Sequence, residues 1–116
     1  MVVDDQTAVS EAVVDILEMT DLSTLTASSG AEAIKIFEEH GDNIDLILLD
    51  IQMPHMNGLT VLKSVKALRP DTRVILSSGY SPDETVQDIL SSTVSFLNKP
   101  YHYNEFITAI RQMLTP

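Results

Sequence analysis

At 116 residues, 44% hydrophobic and 21% charged, the chain is sized for one compact globular domain. Seven Lys and Arg against 17 Asp and Glu give a formal net charge of −10, which repels nucleic acid and anionic membranes and excludes DNA binding by this chain alone. The absence of cysteine removes disulfide and thiolate chemistry, and no apolar run nears the ~20 residues of a membrane span, so a cytoplasmic protein is expected.

Short apolar runs alternate with longer stretches of helical period, a pattern that predicts five βα units around a parallel sheet. The strands are predicted at Val2 to Val3, Leu22 to Thr26, Ile44 to Leu49, Val74 to Leu76 and Val94 to Leu97. Strands this rich in Val, Ile and Leu are covered on both faces. Between them, Val9, Val13, Ile16 and Leu17 share one helical face, as do Leu62, Val65 and Leu68, and Phe106, Ile110, Met113 and Leu114. Ser29-Gly30, Asn57-Gly58 and Ser81-Pro82 mark turns or helix starts, with Ser81 and Glu84 forming a capping box. The first strand is shorter than the usual ~5 to 6 residues, so an N-terminal trim and a longer parent protein are expected.

The polar residues gather where ligands of open α/β sheets bind, beyond the carboxyl ends of the strands. Asp4-Asp5 follow the first strand, Asp50 ends the third, Ser77-Ser78 follow the fourth and Lys99-Pro100 the fifth. Taken singly, Asp5 reads as an N-cap for a helix starting near Ala8, Ser78 as a turn residue and Lys99 as a surface lysine. Asp50 is different, because a carboxylate emerging from Ile47-Leu48-Leu49 must reach water or a charged partner. Three clustered carboxylates raise one another's pKa unless a cation joins them. All-oxygen ligands suit Mg²⁺, and a lysine with a hydroxyl adds what a phosphoryl group needs. An aspartate can carry that group as an aspartyl phosphate. His40, His55 and His102 are scattered, and read as surface residues.

These blocks, "VVDDQ", "LLDIQMPHMNG", "VILSSGYS" and "FLNKPY", resemble in order and spacing those of the receiver domain of two-component response regulators, over essentially the whole chain. The resemblance implies an α/β fold of (βα)5 flavodoxin-like type, a three-layer sandwich on a parallel sheet of order 2-1-3-4-5, as a single receiver domain at 1–116. It implies a phosphoryl group accepted from a histidine kinase or histidine phosphotransfer protein with Mg²⁺, or Mn²⁺. Asp50 resembles the phosphoacceptor, Asp5 the direct metal ligand, Asp4 the acid holding metal-bound water, and Gln52 the residue lending a backbone carbonyl. Lys99 resembles the lysine that contacts the phosphoryl group, before a candidate cis proline, and Phe96 occupies the switch aromatic position. Alignment from the strand start makes Ser78 the switch hydroxyl, while counting back from Lys99 favours Ser77. Ser78 is adopted here, with a one-residue shortening placed in "LSSTVSF". Gln52 and Tyr80 flank the site and are expected to tune dephosphorylation.

The resemblance further implies a signalling surface on the fourth helix, fifth strand and fifth helix, through which a homodimer can form. The domain is not an enzyme in isolation beyond its own phosphorylation and dephosphorylation. Its parent is left open among a hybrid histidine kinase, towards which "SSGYS" and "FLNKPY" lean, a stand-alone regulator and a DNA-binding one. The structural rival is a degenerate receiver that acts only as a dimerisation scaffold. A flavodoxin-type binder is disfavoured by Asp4-Asp5, which repel a phosphate, and a haloacid-dehalogenase-type phosphatase by the lack of a second acid two positions after the first-strand aspartate.

Overall fold

The computed structural model describes residues 1–20 and 22–114; Asp21, Thr115 and Pro116 of the expected 1–116 domain lie outside it. The strands are β1 (Val2–Val3), β2 (Thr26–Ala27), β3 (Leu46–Asp50), β4 (Arg73–Ser78) and β5 (Val94–Asn98). The helices are α1 (Thr7–Glu18), α2 (Gly30–His40), α3 (Gly58–Leu68), α4 (Glu84–Ile89) and α5 (Tyr103–Leu114), with a 3-10 turn at Gly41–Asn43. All strand pairs are parallel and the order is β2-β1-β3-β4-β5, the flavodoxin-like fold expected.

The two-residue period of the strands sorts the core into two layers. Ile47, Leu49, Val74 and Leu76 pack against Phe37 of α2, Val61 and Val65 of α3 and Val86 of α4. Val2, Leu48, Ile75 and Leu97 pack against Val13 and Leu17 of α1 and Phe106, Ile110 and Met113 of α5. β3 and β4 are buried almost throughout, which explains why their sequences are continuous apolar runs rather than alternating ones.

Several expectations are corrected. β2 covers only Thr26–Ala27, because β1 offers just Val2 and Val3 as register partners; Leu22 and Leu25 are exposed. β3 and β4 run on through Asp50 and Ser78, so these residues belong to the ladder. Leu68, the last residue of α3, is 53% exposed and not core. α4 is capped by Asp83, whose carboxylate accepts from the Val86 N–H at 3.0 Å, and not by Ser81. Asn57 and Ser29 cap α3 and α2 as their turns suggested, accepting from the N–H groups of Leu59 and Glu32.

Candidate functional site

The same two-residue period that builds the core delivers the polar residues. Continuing each strand by two residues past Val2, Leu48, Ile75 and Leu97 places Asp4, Asp50, Ser77 and Lys99 on the α1/α5 side of the carboxyl edge. The order β1-β3-β4-β5 sets these four rows side by side. Ser78 follows Leu76 and so belongs to the opposite face.

Asp4, 4% exposed, accepts from the Gln6 N–H through Oδ1 at 2.9 Å and from Lys99 Nζ through Oδ2 at 2.8 Å. Asp5 does not cap α1: the N-cap is Gln6, without a side-chain bond, and the Asp5 carboxylate is left to the acidic cluster. Carboxylate oxygens of Asp4, Asp5 and Asp50 lie within 4.8 Å of one another. Asp50, 5% exposed, accepts from the Gln52 N–H at 3.2 Å and lies 3.4 Å from Lys99 Nζ.

Burial, aided by the Asp4 charge, pushes the Asp50 carboxyl above the usual range, against the opposing pull of Lys99 and the Gln52 N–H. Burial works against the Lys99 ammonium, but its bond to Asp4 and the two carboxylate charges outweigh this and raise it. Tyr101, stacked on Phe106 with ring centroids 5.5 Å apart, is pushed up to about 12 by burial and by the charges of Asp4 and Asp50. The Lys99-Pro100 peptide, immediately before Tyr101, is cis.

Three carboxylates beside one ammonium formally leave two negative charges over, and every available ligand atom is oxygen. This donor set fits a hard divalent cation such as Mg²⁺ and offers nothing to a soft one.

On the other face, the buried Ser78 hydroxyl donates to Gln52 Oε1 at 2.8 Å and accepts from the Tyr80 N–H at 3.0 Å. Phe96, half-buried, packs into the α2/α3/α4 layer beside its register partner Leu76. Asn98 Nδ2 reaches the carbonyls of Ser78 and Tyr80 at 3.3 and 3.2 Å, fixing the loop after β4. The structure thus joins Asp4, Asp5, Asp50 and Lys99 in one cluster, and Ser78 with Gln52 in a second. His40, His55 and His102 are exposed, His55 with a positive φ of 68° in the loop after β3.

Two residues gain a further role here: Gly58, read from the sequence only as a turn, and Ser77, named there only as the less favoured switch hydroxyl. A Cβ on Gly58 would lie 2.8 Å from the Ile51 Cα and closer still to the Asp50 carbonyl, so only glycine lets α3 start against the backbone that carries Asp50. Its position in "HMNG" just after Asn57 is the available signal. Ser77, the register partner of Asp50, is 2% exposed and its Oγ has no hydrogen-bond partner among the described residues.

The model of the response regulator receiver domain family matches residues 1–111. The chain is 31% identical over 116 residues to the chemotaxis protein CheY of Bacillus subtilis, covering 98% of this chain and 95% of that protein. It is 32% identical over 115 residues to the sensor kinase CckA of Brucella abortus, spanning 98% of this chain but only 12% of the kinase. The solved complex of CheX and CheY with BeF3 and Mg²⁺ from Borrelia burgdorferi superposes with a TM-score of 0.91 at 27% identity, over 99% of this chain and 87% of that one. Among the described residues no helix is long and apolar enough to cross a membrane. By sheet order, strand-end chemistry and family match together, the chain belongs to the response regulator receiver domains of two-component systems.

Proposed function

We propose that Asp50 accepts a phosphoryl group from the phosphohistidine of a histidine kinase or phosphotransfer protein, and that the resulting aspartyl phosphate switches the surface of α4, β5 and α5. The observation that carries this reading is the gathering of Asp4, Asp5 and Asp50 oxygens within 4.8 Å, with Lys99 Nζ 2.8 Å from Asp4 and 3.4 Å from Asp50. A scaffold without phosphotransfer has no use for buried carboxylates that repel one another.

Asp5, Asp50 and the Gln52 backbone carbonyl would hold Mg²⁺, or Mn²⁺, directly, and Asp4 through water. When bound, the ion neutralises charge on the phosphoryl oxygens. An Asp50 carboxylate oxygen attacks phosphorus, the P–N bond breaks, and its electron pair leaves with the imidazole. Lys99 turns from the carboxylates to the transferred group as a point charge. The Ser78 hydroxyl leaves Gln52 for a phosphoryl oxygen, and Phe96 turns into the space it vacates.

In this role the receiver lies downstream of a histidine-phosphorylated donor, with α4, β5 and α5 as its output or dimer face. Acetyl phosphate with Mg²⁺ tests it. Wild type is expected to gain one acid-stable, base-labile phosphoryl group by mass, and Asp50→Asn none; equal labelling of both sinks the assignment.

A further inference from the structure

Ser77 sits between Asp50 and Leu97 in one row of the sheet. A buried hydroxyl without a partner is destabilising, and such a group in a strand of Val74, Ile75 and Leu76 calls for a reason. Ser78 does not partner Ser77, because its hydroxyl is already engaged by Gln52 and Tyr80. Leu97 offers no side-chain acceptor. Asp50 does, and it is weakly tied, with its two contacts at 3.2 Å and 3.4 Å.

We propose that Ser77 is a positioning residue for Asp50: rotation about its one side-chain bond brings the hydroxyl onto an Asp50 carboxyl oxygen once that group carries phosphate, and shortens the life of the phosphorylated state. The proposal rests on the reading of Asp50 as phosphoacceptor. In the decay step a water oxygen bonds to phosphorus, the P–O bond to Asp50 breaks with its electron pair passing to the carboxylate, and the water proton ends on the released phosphate. Ser77 keeps its own proton and donates a hydrogen bond to the charge forming on Asp50. The two adjacent serines therefore divide the work across the two faces of β4, Ser78 as the switch and Ser77 as the timer.

Wild type, Ser77→Ala, Ser77→Thr and Asp50→Asn are labelled with ³²P-acetyl phosphate and Mg²⁺, desalted, and followed as the label decays, with melting temperatures recorded in parallel. Ser77→Ala is expected to lose its label roughly three- to tenfold more slowly, a small part of what one oxyanion donor is worth elsewhere. It is also expected to melt at the wild-type temperature or above, since the lost hydroxyl had no partner in the resting state. Ser77→Thr, which keeps the hydroxyl, retains the wild-type decay. Unchanged or faster decay in Ser77→Ala, a lowered melting temperature for it, or slow decay in Ser77→Thr overturns the role of Ser77 alone. Label on Asp50→Asn equal to wild type overturns the phosphoacceptor reading, and this proposal with it.

Discussion

The Ser78 hydroxyl donates to the Gln52 side-chain oxygen at 2.8 Å, so the residue proposed as the switch is held by the residue two positions after Asp50. In the proposed mechanism a phosphoryl group on Asp50 competes with Gln52 for that hydroxyl. A ligand shifts the two states only by its differential affinity, and the latch subtracts from it. Gln52→Ala keeps the backbone carbonyl while removing the latch. It is expected to bind beryllofluoride with Mg²⁺ about two- to tenfold more tightly, the worth of one net hydrogen bond. Titration followed by NMR of the Ser78 amide measures this, and weaker binding would show that Gln52 aids the active state.

The raised carboxyl of Asp50 carries a signed pH dependence. A folded-state pKa above the unfolded value of 3.8 means that the folded protein holds its proton more tightly, so ionising Asp50 costs stability as pH rises from 3.8 through the folded value. Asp50→Asn removes that cost. The variant is expected to melt a few degrees above wild type at pH 7, with the gap closing as pH falls towards 3.8. Melting curves across this range check it; a gap that widens in acid contradicts the burial argument.

Gly58 packs against the Asp50 and Ile51 backbone with no room for a methyl group. Gly58→Ala must displace either α3 or the end of β3, an overpacking cost of about 1–3 kcal/mol. Because the displaced backbone carries Asp50, acetyl phosphate labelling should fall along with urea resistance. Loss of stability with labelling unchanged would mean that α3 alone gives way.

At the opposite end of the sheet, Lys66 Nζ donates to the carbonyls of Pro70 and Thr72 at 3.1 and 2.5 Å and to Thr93 Oγ1 at 2.9 Å. It thereby ties the end of α3 to the starts of β4 and β5, and burial holds its ammonium below the usual lysine range, against the pull of Asp71. Lys66→Met keeps the apolar stem and leaves partly buried acceptors unpaired, which is expected to cost about 1–3 kcal/mol in urea unfolding. Phosphoryl labelling should be unaffected, since none of these contacts reaches the acidic cluster.

That Asp4, Asp5, Asp50 and Lys99 gather at one edge was legible because strand-end position is a local property: a run such as Ile47-Leu48-Leu49 announces both the strand and the residue that ends it. The Ser81 cap failed because two neighbouring residues, Ser81 and Asp83, can each cap a helix, and only the chain's path after β4 selects Asp83. Leu68 failed because helical period places a residue on a face without saying where that face stops being covered. Gly58 was legible only as a turn and Ser77 only as an alternative to Ser78, because what matters about each is a neighbour in space, the Asp50 carbonyl for one and the Asp50 row for the other.

By itself the sequence determined the alternation of buried strands and amphipathic helices, the sheet they form, and the acids and lysine at its carboxyl edge, all of which follow from periods of two and 3.6 residues and from where apolar runs end. Only the tertiary structure decided the pairings. Lys99 bonds most closely to Asp4, 95 residues away, and more loosely to Asp50; Ser78 turns to Gln52, while Ser77 faces the Asp50 row with no partner among the described residues. The physical reason is that one step along a strand reverses a side chain's direction. Strand order and register, set by long-range packing, then choose which groups meet across the sheet.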